Sequence, residues 1–325
     1  RRVGAKVDVV IPHRIQDGYG LSLHLLQQAK EDGVDTILTC DNGIAAIDEI
    51  AWAKAQKMTV LVTDHHAVPF EEHEGRRTEK KSLADAVVNP HQQDCGYPYK
   101  ELCGAGVAWN VIRVLYENYD MDKREAEDLL DFVAMATVCD VMSLTGENRI
   151  LVKEGLKRIR HTKNIGLQAL MQACNVQPEN ISAYHFGYVL GPCVNATGRL
   201  DTARHALRLF ETGQETEAEE IARDLVDLNQ ERKELTLQGV EMAKKLCEEG
   251  GYENDPVLVL FLPDVHESIA GLIAGRIREM YNRPVFVLTR GEEGVKGSGR
   301  STENYSMYEN MCGCAELFTK FGGHP

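Results

Sequence analysis

The 325-residue chain has no apolar run approaching the length of a membrane span; the strongest, 257–262 (VLVLFL), is the length of a buried strand. No secretory leader is expected at its start, because Arg1-Arg2 runs straight into the mixed segment VGAKVDVV. No CxxC pair occurs among its nine cysteines, an odd number, with Cys312 and Cys314 the closest two. That excludes a disulfide framework and a zinc ribbon and points to a reducing, cytoplasmic setting. There is no basic excess either: the net charge is −14, which excludes a histone-like coat. The charge is uneven, however. Residues 211–250 hold twelve acidic against five basic side chains, so the remaining surface can still hold a local basic groove. Internal repeats and low-complexity tracts are absent.

What is there is an ordinary globular composition, 43% hydrophobic and 26% charged, in a chain long enough for two domains. In the first ninety residues, short β-branched runs at 7–12 (VDVVIP), 35–40 (DTILTC), 59–63 (TVLVT) and 84–89 (ADAVVN) alternate with helical stretches at 20–32 and 44–56. This pattern predicts a parallel sheet covered on both faces, with ligands beyond the carboxyl ends of its strands. Residues 71–81 (EEHEGRRTEKK) read as a charged surface loop. Helices are expected at 107–119, 125–137 and 149–174, then a Gly/Pro/Asn break around 191–198. From 217 to 248 the pattern is one long helix whose narrow apolar stripe is Ile221, Leu225, Leu228, Leu235, Met242 and Leu246, with Gly239 as its weak point. Strands at 257–262 and 284–288 around a helix at 269–281 form a second, smaller α/β unit.

The chemistry gathers at strand ends. Asp41 follows DTILTC and precedes the turn dipeptide Asn42-Gly43; Asp64-His65-His66 follows TVLVT; Asp140 follows FVAMATVC. Asp41 and Asp64 sit at the carboxyl ends of neighbouring parallel strands and so share one sheet edge. Taken singly, Asp41 caps a turn and Asp64 caps a helix. An Asp-His-His triplet at a strand end is harder to explain structurally, and the whole set suits a hard divalent cation, Mn²⁺ or Mg²⁺. Such ions can activate water and clamp a phosphoryl group. In the second unit Gly297 and Gly299 let backbone N–H groups approach a phosphate, and Arg300 can pair with one bidentately. His266 and the remaining histidines read as surface or capping residues, and Tyr19 as an exposed loop tyrosine.

TDHH at 63–66, CDNGI at 40–44 and TVCDVMSLTGENR at 137–149 resemble the motifs of the DHH phosphoesterase superfamily. More narrowly, IPHRIQDGYGLS at 11–22, VVNPHQQDCGYPYKELCGAGVAW at 87–109, GPCVNATGR at 191–199, LNQERKE at 228–234, KGSGRS at 296–301 and FGGHP at 321–325 resemble the RecJ family, in order and over essentially the whole chain. The resemblance implies a parallel-sheet α/β DHH catalytic domain over 1–212, a connecting helix over 213–252, and a smaller α/β DHHA1 substrate-binding domain over 253–325, with a cleft between the two domains. It implies Asp41, His65 and Asp140 as metal ligands, two ions in the intact family site, Asp64 orienting the histidines and His66 contacting the scissile phosphate. Arg199, Ser298, Arg300, Gly322, Gly323 and His324 would hold phosphates of the substrate. The implied activity is metal-dependent 5′-to-3′ hydrolysis of single-stranded DNA to mononucleotides in repair and recombination. Single-strand-binding protein and a recombination helicase are the implied partners, and no membrane is involved.

Departures from the family pattern carry expectations too. RecJ-like chains begin with a strand ending in an Asp-rich motif, which is not seen before 7–12; Asp8, inside a strand, does not replace it. The chain is therefore expected to be N-terminally truncated, with weak metal binding and impaired activity, and FGGHP suggests truncation at the other end. Cys193 stands where the family more often has Arg, which removes one phosphate contact. Two other readings use the same residues: a phosphodiesterase of cyclic dinucleotides or very short oligonucleotides, and a non-catalytic replication or repair scaffold.

Overall fold

The computed structural model describes residues 2–12, 20–73, 76–291 and 294–319, and the chain divides into two units, Arg1–Val226 and Asp227–Pro325. Unit 1 opens with helix α1 (Leu23–Glu31), capped by Ser22, whose side chain accepts from the Leu25 N–H at 3.4 Å. Strand β1 (Thr36–Cys40), helix α2 (Ile47–Ala55) and strand β2 (Thr59–Thr63) follow, then an antiparallel pair β3 (Phe70–His73) and β4 (Arg76–Glu79), and strand β5 (Ala86–Val88). The crossover through α2 makes β1 and β2 parallel, and β5 joins β2 in the same direction, giving the order β1-β2-β5. The expected parallel sheet is therefore present. Its buried face packs Val60 and Val62 against Leu26, Ile50 and Ala53 of α1 and α2. The other face is less covered than expected, and Leu38 of β1 remains 61% exposed.

Three local expectations fail here. Residues 7–12 form no strand, with Val7, Val10 and Ile11 exposed, because a β-branched run becomes a strand only where a ladder partner accepts it. Asp8 is consequently not inside a strand; its carboxylate accepts only from the neighbouring Val9 N–H among the bonds described for it, at 2.9 Å. The charged segment 71–81 is largely the β3–β4 pair rather than a loop.

The rest of unit 1 is helical: α3 (Gly104–Asn118), α4 (Lys123–Glu127), α5 (Leu130–Cys139), α6 (Gly146–Arg158), α7 (Ile165–Ala173), α8 (Ala183–His185), a π-helical turn (Phe186–Leu190), α9 (Gly191–Leu200), α10 (Ala203–Glu211) and the start of α11 (Glu215–Gly250). The break expected around 191–198 is instead helix α9, since Pro192 falls in the first turn, where its missing N–H costs nothing. Cys193 on this helix is buried in the core formed with Phe186, Leu170 and Leu225, its thiol donating to the Val189 carbonyl at 3.2 Å. That position thus faces the core rather than a phosphate. None of the nine cysteines is in a disulfide.

The long helix is as expected, but its buried line departs from the sequence stripe toward the C-terminal end. Ile221 and Leu225 pack into the core of unit 1, while Val240, Ala243 and Cys247 pack into that of unit 2 and Met242 is exposed. Gly239 is not a weak point: a Cβ there would lie 2.3 Å from Ile273 Cδ1, so the glycine admits that side chain. Unit 2 adds strand β6 (Leu258–Phe261), helix α12 (Glu267–Tyr281), strands β7 (Val285–Gly291) and β8 (Gly294–Arg300) and helix α13 (Met307–Cys312). The order is β6-β7-β8, with β6 and β7 parallel across α12 and β8 returning antiparallel. His266 caps α12, its Nδ1 2.6 Å from Ser268 Oγ, which is the ordinary role expected for it. No described helix is long and apolar enough to cross a membrane.

Candidate metal centre

Because β1, β2 and β5 run parallel, their carboxyl ends share one edge, and the pairing continues one residue beyond the strands. The Asp41 N–H donates to the Thr63 carbonyl at 3.0 Å, and the Asp64 N–H to the Val88 carbonyl at 3.1 Å. Asp41 and the Asp64-His65-His66 triplet are therefore neighbours by construction. Asp140 arrives from a different direction, as the C-cap of α5. Asp41 (φ 64°) and Val141 (φ 57°), directly after Asp140, are both left-handed, a conformation that L-residues enter at a cost and that clusters at functional sites.

Asp64 organises the group. It is 1% exposed; its Oδ1 accepts from the His65 N–H at 2.7 Å, the His66 N–H at 3.2 Å and the His66 ring Nδ1–H at 2.7 Å, and its Oδ2 from the Ile44 N–H at 2.9 Å. Burial works to raise its pKa, but these hydrogen bonds outweigh burial and hold the carboxyl below its ordinary range. With Nδ1 bound to Asp64, the Nε2 of His66 is the nitrogen that can serve a ligand. The hydrogen bond to Asp64 lifts the pKa of His66 despite partial burial.

His65 Nε2 lies 3.0 Å from Asp41 Oδ1 and 3.3 Å from Asp140 Oδ2, yet it is buried and makes no hydrogen bond of acceptable geometry. Burial pushes its pKa down, and the two carboxylates more than reverse that, leaving it raised. A buried ring nitrogen between two carboxylates, close but misaligned for hydrogen bonding, fits a lone pair meant for a cation. Asp41, His65 and His66 each offer a ligand atom within 4.8 Å of the others. Among the described residues the donors close enough to share an ion are Asp41, His65 and His66, and no cysteine joins them. Burial, with Asp140 beside it, raises the Cys139 thiol to about 11 in the metal-free protein. The available donors are thus carboxylate oxygen and imidazole nitrogen, the set that suits Mn²⁺ or Mg²⁺.

Two buried asparagines were not singled out from the sequence as site residues. Asn89, after β5, donates to the His66 carbonyl at 2.9 Å and accepts from the His91 N–H at 2.8 Å. Asn148 donates to the Glu101 carbonyl at 2.5 Å and the Ser143 carbonyl at 3.0 Å, tying the segment before α3 to the loop after Asp140. Both lie within quoted motifs, VVNPH and GENR, and that was the available signal.

Arg199 is half-buried in the last turn of α9, a helix that packs on α5. In unit 2, Ser298 and Arg300 project from one face of β8, as alternate residues must. They meet over α12 at Gly271, where a Cβ would lie 3.0 Å from Arg300 Nη2 and 3.3 Å from Ser298 Oγ. Lys296 is two residues back on the same strand and pairs with Glu267 of α12 at 3.1 Å. On the side a Cβ would occupy, Gly297 and Gly299 are covered: a Cβ at Gly297 would meet Leu288 Cδ2 at 2.6 Å, and one at Gly299 Met307 Sδ at 2.7 Å, while Gly297 itself stays exposed. Gly322, Gly323, His324 and Tyr19 lie outside the described residues.

Family models match in the same order. Residues 1–137 match the DHH family, N-terminal domain, and 254–325 the DHHA1 domain. The single-stranded-DNA-specific exonuclease RecJ of Haemophilus influenzae is 36% identical over 342 aligned residues, covering 100% of this chain and 58% of its own length. The chain thus spans little more than half of that relative. A crystal structure of exonuclease RecJ bound to manganese matches with a TM-score of 0.81 and 32% identity, over 99% of this chain and 77% of that one. RecJ of Thermus thermophilus in complex with Mg²⁺ matches with a TM-score of 0.68 and 27% identity, over 93% of this chain and 47% of that one. With both domains in order and the likeness running the length of the sequence, the chain belongs to the RecJ family of DHH–DHHA1 proteins.

Proposed function

We propose that this chain carries the catalytic core of a metal-dependent 5′-to-3′ exonuclease that hydrolyses single-stranded DNA to mononucleotides in repair and recombination. The observation that carries the reading is the buried His65 Nε2, unsatisfied between the carboxylates of Asp41 and Asp140. In this reading Asp41, His65 and Asp140 hold Mn²⁺ or Mg²⁺, the ions found with the structural relatives. Bound divalent ions supply positive charge to the phosphoryl group and acidify water at neutral pH. The protein's own residues do the rest. Asp64 fixes both histidines through three hydrogen bonds and is itself held by a fourth from the Ile44 N–H, so the site needs little reorganisation when charge builds on the phosphate. His66, locked through Nδ1, directs Nε2 at a phosphate oxygen. Arg199 in unit 1, and Ser298, Arg300, Gly322, Gly323 and His324 in unit 2, hold phosphates along the strand.

The same reading assigns 1–212 to catalysis, 213–252 to connection and 253–325 to substrate binding. It places the protein in the cytoplasm with single-stranded DNA as substrate, and single-strand-binding protein and a recombination helicase as partners. The test is Mn²⁺-dependent release of nucleotides from a long 5′-labelled single strand by the full-length protein. His65→Ala should lower the rate by on the order of 10²–10³-fold, the scale of losing one electrostatic contact to a transition state. Cleavage of dinucleotides alone would favour a small-substrate phosphodiesterase, and no cleavage at all a scaffold.

A further inference from the structure

Asp41 has two close neighbours. His65 Nε2 stands 3.0 Å from its Oδ1, and the side chain also abuts the first residue of α3. A Cβ on Gly104 would lie 2.2 Å from Asp41 Oδ1, 2.5 Å from its Cβ and 2.6 Å from its Cγ. The three nearest atoms all belong to that one side chain. Gly104 is not left-handed, so space rather than backbone conformation demands glycine here.

Neither backbone can retreat. Asp41 is left-handed (φ 64°), its N–H is bound to the Thr63 carbonyl at 3.0 Å, and Asn42 Nδ2 closes the turn onto the Cys40 carbonyl at 3.0 Å. The segment leading into α3 is buried at Leu102 and Cys103. It is held by Asn148 on the Glu101 carbonyl at 2.5 Å and by the Cys103 Sγ–Thr137 Oγ1 contact at 3.3 Å. Packed interiors respond to an added methyl by moving whatever yields most easily. Here that is the half-exposed Asp41 carboxylate, and any movement changes its place beside His65.

We propose that Gly104 is a positioning residue of the metal centre: its bare Cα is the seat of the Asp41 side chain and sets where that carboxylate stands against His65. The proposal rests on the metal reading above. Its test compares Mn²⁺ affinity, from the electron paramagnetic resonance signal of the free ion, with thermal melting, in the full-length protein. Gly104→Ala should raise the Mn²⁺ Kd at least about tenfold, the lower scale for disturbing a group that orients a ligand. Gly106→Ala, in the same turn, should not, since a Cβ there meets only Leu102 and Cys103 side-chain atoms at 3.4 Å or more. Asp41→Gly removes the three atoms nearest that Cβ, so adding Gly104→Ala to it should change neither melting nor residual Mn²⁺ binding.

A Gly104→Ala protein with wild-type Mn²⁺ affinity overturns the proposal. So does a drop in Tm that persists in the Asp41→Gly background, which would place the glycine's role elsewhere in the core. Wild-type protein that binds no Mn²⁺ sinks the metal reading and the metal clause of this proposal together. The melting cycle still decides whether Gly104 seats Asp41.

Discussion

In unit 1 the polar groups gather past the carboxyl ends of β1 and β2, and the central pair, Asp64 and His65, are 1% and 9% exposed. In unit 2 Ser298 and Arg300 stand along the side of β8, one half-buried and the other exposed. The first arrangement puts charge where water is scarce, so each group must be answered by another: Asp64 by four donors, His66 by Asp64, His65 by the carboxylates of Asp41 and Asp140 beside it. The second leaves its side chains in contact with solvent, where misplacing one costs little. A site built from buried groups is rigid and intolerant of change, which suits chemistry. A row of exposed side chains on a strand suits holding a long, repetitive ligand.

That contrast can be broken by mutation. Asp64→Ala should have the largest effect, because it orphans the N–H groups of Ile44, His65 and His66 and frees the His66 ring. Each buried unpaired donor costs about 1–3 kcal/mol, and Mn²⁺ affinity should fall by about 10–100-fold. Denaturant unfolding and Mn²⁺ titration read the two; an unchanged Kd would mean that Asp64 does not orient the ligands.

Gly239→Ala comes next and tests the packing beneath the second site. Helix propensity alone predicts a gain of about 1 kcal/mol. The 2.3 Å approach to Ile273 Cδ1 predicts instead an overpacking loss of about 1–3 kcal/mol, so the Tm should fall or at best hold. A clear rise would overturn that account of α11.

Arg300→Ala should leave Mn²⁺ affinity untouched and weaken binding of single-stranded DNA evenly across sequences, flattening the salt dependence by about one unit of slope. Loss of metal binding in that variant would erase the distinction between the two sites.

The smallest effect is one of pH. His65 and His66 both have folded pKa values raised above the ordinary 6.5, so in metal-free protein their contribution to stability is full below that value and is lost as pH rises through the raised values. Metal binding needs the neutral rings, so with saturating Mn²⁺ the loss should disappear: stability should rise with pH through the unfolded value near 6.5 and level off above it. Melting curves with and without Mn²⁺ from pH 6 to about 8.5 distinguish the two signs, and parallel curves would mean that the histidines do not bind the ion.

Much of this was legible beforehand, and the misses have a common cause. The strands ending at Cys40 and Thr63, the long helix and the second α/β unit follow from local periodicity and stand as expected. Residues 7–12 have a strand's composition but no ladder; 71–81 have a loop's charge but pair with each other; 191–198 have a loop's Gly, Pro and Asn but form a helix. In each case composition describes what a segment tolerates, and a partner elsewhere decides what it becomes. Met242 was assigned to the buried stripe on spacing alone, whereas Ala243 and Cys247 face the core instead, because a strict spacing of seven drifts about 20° per repeat against the 3.6-residue turn and has left the buried face by Met242.

The sequence by itself determined that Asp41 and the Asp64-His65-His66 triplet would meet, since residues following neighbouring parallel strands share an edge whatever the remainder of the chain does. It also determined the order of the two domains, through motifs that need no coordinates to be recognised. Only the tertiary structure decided that Asp140, which the resemblance had named, reaches His65 from the end of α5, that His65 Nε2 is left without a hydrogen bond, that Asn89 and Asn148 tie the surrounding segments, and that Gly104 lies against Asp41. These facts depend on approach distances between side chains tens of residues apart. Such distances are set by how helices and strands pack, and nothing in local spacing encodes them.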